Sequence, residues 1–387
     1  MNNQHILILG SGHLAYRVKK LALTKGYKTN SISKEAFQLK DTDSSTFDSI
    51  VKVLQNTDLS TLSMAYLLDD SDEFNLQLTI VLMSLCKNLR ITASLFNENI
   101  ATHLSAGHPN LLILNPAKIA APAFVEALGQ PVIHQLNYPV VNPIKQKENF
   151  KIDSLINILL SSFLLLITLA TLYFHFAENL SFLDALYFVV VTISTVGYGD
   201  INLLNASAVS KVIGILLILS STIFIWMIFS LTIDRVIKKR VQLSLGRKKY
   251  TYSNHIILCG LGRLGHFIAA ELIKRGEKIV IIESNEASAD VDYFRNLGAD
   301  VYIGNARLPR VLQDVGVAQA QAVIAVVNDD FANLEIGLNA RSFQPNLRLI
   351  LRIFDESMAQ KIKETLDIHL TLSMSALADD KFLNTIG

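Results

Sequence analysis

Short apolar runs alternate with helical periodicity over residues 5–128 and again over 255–387, and between these regions lie two long stretches almost free of charge. In the later region the pattern predicts strands at 255–259, 278–283, 300–303, 322–327 and 347–353. Helical patterns such as Leu264 to Arg275 and Phe331 to Phe343 separate them. Short apolar strands alternating with helices imply a doubly wound parallel sheet, because right-handed crossovers cover both of its faces.

The two regions are copies of each other. His5-Ile6-Leu7-Ile8-Leu9-Gly10-Ser11-Gly12 recurs as His255-Ile256-Ile257-Leu258-Cys259-Gly260-Leu261-Gly262, an offset of 250 that Gly26 and Gly276 keep. Further on the offset is 258: Asp72 and Asn75 match Asp330 and Asn333, Phe96 matches Phe354, and Phe124 matches Phe382. An insertion of eight residues in the middle of the second copy accounts for the change.

The intervening stretches have membrane length. Residues 152–174 carry one charge, Asp153, and a charge-free run extends from Val212 to Ile233. About 20 apolar residues span a bilayer core, so membrane helices are expected near 154–176 and 207–234. Phe182 to Ile193 is apolar and helical in pattern but too short to cross, which predicts a re-entrant helix near 182–194. Arg235, Lys238, Lys239, Arg240, Arg247, Lys248 and Lys249 follow the second span, whereas the loop between the spans has no Lys or Arg before Lys211. The positive-inside rule sets both copies and both termini on the cytoplasmic face of a plasma (inner) membrane. Pro131, Pro139 and Pro143, with Lys145, Lys147 and Lys151, mark a linker approaching the membrane surface. The expected order is an α/β domain at 1–129, a linker at 130–150, a membrane module at 151–240 and a second Rossmann-like α/β domain at 250–387.

Composition agrees. The 387 residues are 50% hydrophobic, and a mean hydropathy of +0.35 is high for a soluble α/β protein. With 35 Lys+Arg against 34 Asp+Glu, no basic excess is available to neutralise phosphates, which argues against nucleic acid as a partner. Cys86 and Cys259 lie apart in apolar stretches and read as buried thiols in a reducing compartment.

Thr195-Val196-Gly197-Tyr198-Gly199-Asp200 directly follows the short helix. A potassium ion must shed its water to pass a narrow pore, and stacked backbone carbonyls with a threonine hydroxyl can replace that water. Aiming successive carbonyls at one axis requires alternating left- and right-handed backbone, which Gly197 and Gly199 permit. Val196 and Tyr198 then turn outwards to brace the loop. This hexapeptide between two membrane spans resembles the signature of the two-transmembrane potassium channel pore family. The resemblance implies a homotetramer in the lipid bilayer, with Thr195, Val196, Gly197 and Tyr198 forming K+ sites and Asp200 at the outer mouth. One departure is Ser220-Ser221, where that family has a hinge glycine; the nearest glycine is Gly214.

In the second copy Gly260-Leu261-Gly262-Arg263-Leu264-Gly265 follows a strand and opens a helix, and Glu283 ends the next strand. That is a dinucleotide-binding arrangement, with phosphates at the helix N-terminus and the acid on a ribose hydroxyl. Arg263 reads as a phosphate partner or a surface ion pair, and Asn305 as a base contact or a turn cap. The first copy departs: its turn is Gly10-Ser11-Gly12-His13-Leu14-Ala15, and Ser33 stands where Glu283 stands in the second. Gly10, Gly12, Ala15 and Ser33 mark a weak second nucleotide site, with a ligand-poor structural partner the favoured reading. Asp69-Asp70-Ser71-Asp72-Glu73 reads as a solvated loop in preference to a calcium site.

Both copies resemble RCK (regulator of potassium conductance) domains, similar to the nucleotide-binding domains of Trk-type potassium uptake regulators. The resemblance implies a cytoplasmic ring gated by NAD(H), another adenine nucleotide or a divalent cation. A non-conducting regulatory subunit and a membrane-tethered NAD-dependent oxidoreductase are the competing readings, the latter lacking a substrate domain with a positioned His, Lys or Tyr.

Overall fold

The computed structural model describes residues 4–37, 46–130, 151–354, 356–366, 368 and 370–386. The first copy runs β1 (His5–Leu9), α1 (His13–Thr24), β2 (Lys28–Ile32), α2 (Thr46–Gln55), β3 (Met64–Leu67), α3 (Asp72–Leu85), β4 (Arg90–Ser94), α4 (Glu98–Gly107), β5 (Leu111–Leu114) and α5 (Pro116–Glu126). Its strands form one parallel sheet in the order β2-β1-β3-β4-β5.

Three helices follow: α6 (Lys151–Ala177), α7 (Phe182–Ile193) and α8 (Ala208–Ser244). The second copy runs β6 (Ile256–Cys259), α9 (Arg263–Lys274), β7 (Ile279–Glu283), α10 (Ala289–Asn296), β8 (Asp300–Ile303), α11 (Pro309–Asp314), β9 (Ala322–Ala325), α12 (Asp330–Phe343), β10 (Arg348–Arg352), α13 (Glu356–Leu366), β11 (Leu370–Leu372) and α14 (Met374–Leu383). Its parallel sheet has the order β11-β10-β9-β6-β7-β8.

The topologies superimpose strand for strand except at β8, which has no counterpart among the described residues of the first copy. Strand β8 lies at the edge of the second sheet, paired with β7. The central strands β3, β6 and β9 are buried at every position, as expected where helices cover both faces.

The last helix of each copy crosses to the other. Helix α5 packs on α9, α14 packs on α1, and α5 and α14 pack on each other. Phe124 is fully buried in a cluster with Ile256, Leu258 and Ile268, and its repeat partner Phe382 in one with Ile6, Ile8 and Val18. Neither copy closes its core alone, so the described residues before 131 and after 244 form one compact body. The expected linker at 130–150 lies almost wholly outside the described residues.

Residues 151–244 form the second body. Helices α6 and α8 are long and apolar enough to cross a membrane. Phe174, Ala185, Val189, Ile193 and Leu217 make its small core. Helix α8 continues ten residues past the expected end of its span, carrying Arg235, Lys238, Lys239 and Arg240 beyond the apolar run. Ser220, Ser221 and Thr222 bond back to carbonyls of the preceding turn, and the helix is unbroken there. Gly214 is buried, and an added Cβ would stand 2.8 Å from Leu203 Cδ1, so it serves loop packing. Of the two thiols, Cys259 is buried; Cys86, just beyond α3, is only half-buried, correcting the expectation for that residue.

Candidate functional site

The loop after α7 is tied to that helix by its amides. Thr195 N donates to Thr192 O, and Val196 N and Gly197 N both donate to Val191 O. With the N–H groups turned towards the helix, the carbonyls are free to face elsewhere. Positive φ recurs at Thr195 (59°), Gly197 (58°) and Gly199 (81°), with Val196 and Tyr198 between them outside that region. Alternation was expected at the two glycines. Its extension to Thr195 was not, because a β-branched residue is strained in left-handed backbone. Such strain persists only where surrounding structure imposes it, and it clusters at functional sites. Tyr187 Oη donates to Asp200 Oδ2 at 2.8 Å, and Asn202 Nδ2 donates to Gly199 O at 3.2 Å, bracing the outer end of the loop. Val196 and Tyr198 are 53% and 73% exposed, leaving apolar side chains of this loop uncovered within one chain.

In the α/β body a cavity of about 890 Å³ opens above the carboxyl ends of the second sheet. That is where ligands enter doubly wound folds. Gly260 has φ +99°, and a Cβ on Gly265 would collide with Gly260 O, so the turn and helix α9 approach too closely for side chains. Glu283 Oε2 accepts Leu261 N (2.7 Å) and Oε1 accepts Asn285 N (2.8 Å), which sets the carboxylate beside the turn. Asn305 caps its own turn by accepting Arg307 N while also lining the cavity. The structure thus brings Gly260, Gly262, Arg263, Glu283 and Asn305 together at one opening, with Gly265 just beneath.

Two features were not legible in the sequence. First, the cavity is walled by both copies: His13, Asp70 and Phe96 line it beside second-copy residues. Arg263 Nη1 donates to Asp70 O at 2.7 Å, and its guanidinium lies 4.1 Å over the Phe96 ring. His13 stacks on Phe354 at 4.8 Å. Because His13 matches Arg263 and Phe96 matches Phe354 in the repeat, these contacts are one contact made twice across a pseudo-two-fold. The repeat held that signal, but only the helix exchange turns the two copies face to face. Second, Arg352 at the end of β10 is buried beneath the cavity. Burial lowers its pKa to about 10, opposed by the carboxylates of Asp330 and Asp70. Burial also raises the Asp330 carboxyl above the usual range.

The first-copy turn is occupied by its own acids. Asp69, 5% exposed, accepts Ser11 N (3.2 Å), Ser71 N (3.0 Å) and Lys34 Nζ (3.3 Å). Asp70 Oδ1 would be 2.7 Å from a Cβ on Gly12. Ser11 Oγ donates to Glu35 Oε2, and hydrogen bonds from Ser33, the Glu35 backbone and Ser11 hold the Glu35 carboxyl below the usual range. Ala15 is buried. Asp72 accepts Phe96 N and Asn97 N, so the acidic stretch is not the solvated loop expected. Among the described residues no group of three or more His, Cys, Asp or Glu could hold a metal ion.

Comparison with known proteins bears on both sites. Residues 161–238 match the "Ion channel" family model, and residues 256–373 match the "TrkA-N domain". Potassium channel protein 1 of Methanocaldococcus jannaschii is 30% identical over 203 residues, covering 51% of this chain and 61% of that protein. Voltage-gated potassium channel Kch of Escherichia coli is 29% identical over 188 residues, covering 47% and 44% respectively. The chain spans between 30% and 61% of the length of these and two further relatives. A crystal structure of GsuK bound to ADP aligns with a TM-score of 0.56 at 14% identity, covering 100% of this chain and 69% of that one. This likeness supports the fold. The chain therefore joins a segment similar to ion channels to one similar to TrkA-N domains, with a second, divergent copy of the α/β fold ahead of both.

Proposed function

We propose that this chain is the pore-forming subunit of a potassium-selective channel gated by an adenine nucleotide bound at the second α/β copy. The observation that carries the pore is the backbone at Thr195, Gly197 and Gly199: positive φ at every second residue behind a helix too short to cross a bilayer. Alternating φ lets Thr195, Val196, Gly197 and Tyr198 offer consecutive carbonyls to one axis, which is what a dehydrated K+ requires. Four copies around that axis would cover Val196 and Tyr198 and complete each ion site. Relatives that match about half of this chain are named as potassium channels, which supports the same reading.

For the sensor, Gly260, Gly262 and Gly265 with the α9 N-terminus would take the phosphates, Glu283 the ribose, and Arg263 the phosphate charge. The ADP in the GsuK structure makes ADP the first nucleotide to test. Residues 1–129 and 250–387 would be the sensing pair and 151–240 the pore, with both termini cytoplasmic. Leu245, the residue after α8, already belongs to the α/β body, since its carbonyl accepts Ile303 N. Strain in that body therefore has a short covalent path to α8. Any ligand shifts the gate only by its difference in affinity for the open and closed states.

The test is K+ against Na+ flux in liposomes holding the purified protein, with Gly197→Asp as control. Potassium flux without sodium flux, absent from the control, supports the pore. No flux under any nucleotide condition shifts weight to a regulatory subunit without conduction. Turnover of NADH by purified protein would revive an oxidoreductase.

A further inference from the structure

The cavity extends well past the nucleotide turn. In the sheet order, β10 is separated from β7 by β9 and β6, so Arg352 and Glu283 lie about 14 Å apart at the usual strand spacing. An adenosine at Glu283 with its phosphates at the Gly260–Gly265 turn occupies one end; Arg352 marks the other.

Arg352 is 4% exposed. Its Nη1 donates to Asn328 Oδ1 at 2.9 Å, and its guanidinium lies 4.1 Å over Phe354, but Nε and Nη2 have no partner. Two carboxylates face it without closing an ion pair. Asp330 uses Oδ2 to accept Phe354 N, leaving Oδ1 buried and unpartnered; Asp70 comes from the first copy. A guanidinium out of water with two open donor nitrogens is held at a cost that an oxyanion in its fork relieves.

We propose that the Arg352 end of the cavity is a second, anion-binding subsite, taking one carboxylate or phosphate group beside the bound nucleotide. This rests on the nucleotide reading above. The oxyanion belongs either to the nucleotide, as a terminal phosphate reaching across the cavity, or to a separate small acid.

The experiment is calorimetry on the full-length protein in detergent, titrating ADP, ATP, inorganic phosphate and succinate, the last two also with ADP saturating. The variants are Arg352→Met and Asp330→Asn. For a separate acid, phosphate or succinate binds the ADP-loaded protein, weakens about ten-fold in Arg352→Met, and ADP affinity shifts less than about three-fold. For a nucleotide-borne phosphate, ATP weakens about ten-fold in Arg352→Met while ADP scarcely changes, and the free anions do not bind. Either way Asp330→Asn, which removes the competing carboxylate, tightens the anion; this arm carries the test if Arg352→Met does not fold. Indifference of every anion to both variants overturns the proposal and leaves Arg352 an internal partner of Asp330. Failure of ADP to bind the wild type refutes the nucleotide reading instead, while succinate or phosphate sensitive to Arg352→Met still establishes the subsite.

Discussion

The two α/β copies agree wherever the fold is at stake and part where a ligand would sit. Asn75 and Asn333 are both fully buried, and each accepts one backbone N–H and donates to two carbonyls, joining the start of its helix to the strand ends beside it. Asp72 and Asp330 each accept the amide of the repeat-related Phe96 or Phe354. At the turn the likeness ends. Val327 and Asn328 of the second copy are replaced by Asp69 and Asp70, whose carboxylates take the place an anion would need. Asp70 crowds Gly12, whereas a Cβ on Gly262 would meet nothing within 4 Å, so volume and negative charge both oppose a phosphate at the first turn. Two side chains thus separate a turn that opens into the cavity from one that helps to wall it.

The comparison can be broken first at its symmetric part. Phe124→Ala and Phe382→Ala should each destabilise the protein by about 3–5 kcal/mol, because both rings are fully buried across the exchange. Thermal unfolding with markedly unequal losses would show that only one exchanged helix matters. At the asymmetric part, Glu283→Ala should weaken nucleotide about ten-fold and Ser33→Ala should leave it unchanged, read by calorimetry. Equal effects would mean that both turns bind. A sharper variant is Asp69→Asn with Asp70→Asn, which removes the charge but keeps the shape. Nucleotide stoichiometry should then rise above one per chain at millimolar concentration; a value still at one would assign the exclusion to Ser33.

The smallest effect concerns pH. Glu35 is held below its usual range by hydrogen bonds, so its contribution is present above the unfolded pKa and fades as pH falls through the folded one. Melting temperatures of wild type and Glu35→Gln should differ slightly at neutral pH and converge in acid. A gap that widens in acid would reverse the assigned sign.

Much of this was legible beforehand. The strands of the second copy, the short apolar helix α7 and the two long apolar helices α6 and α8 follow from apolar periodicity and run length, which depend on local sequence alone. The glycine turn with Glu283 was legible because strand, turn, helix and acid lie close in sequence. Arg352 was not: a single arginine at a strand end carries no periodic signal, and its burial depends on Phe354, on Asp330 and on a wall supplied from almost three hundred residues away. Asp69 was misread for a related reason, since a run of acids is usually solvated unless lysines and amides fold back onto it.

By itself, then, the sequence determined the architecture: two copies of one parallel α/β fold, two long apolar helices with a short one between them, and a loop of alternating backbone. Those features are set by hydrophobic pattern and backbone permissiveness, which act over a few residues. Only the tertiary structure decided that the copies trade their last helices, that His13 and Arg263 stack on each other's partner phenylalanines, and that one turn is filled by its own acids while the other opens into a shared cavity. Burial and charge pairing are properties of neighbours in space, and here those neighbours come from opposite ends of the chain.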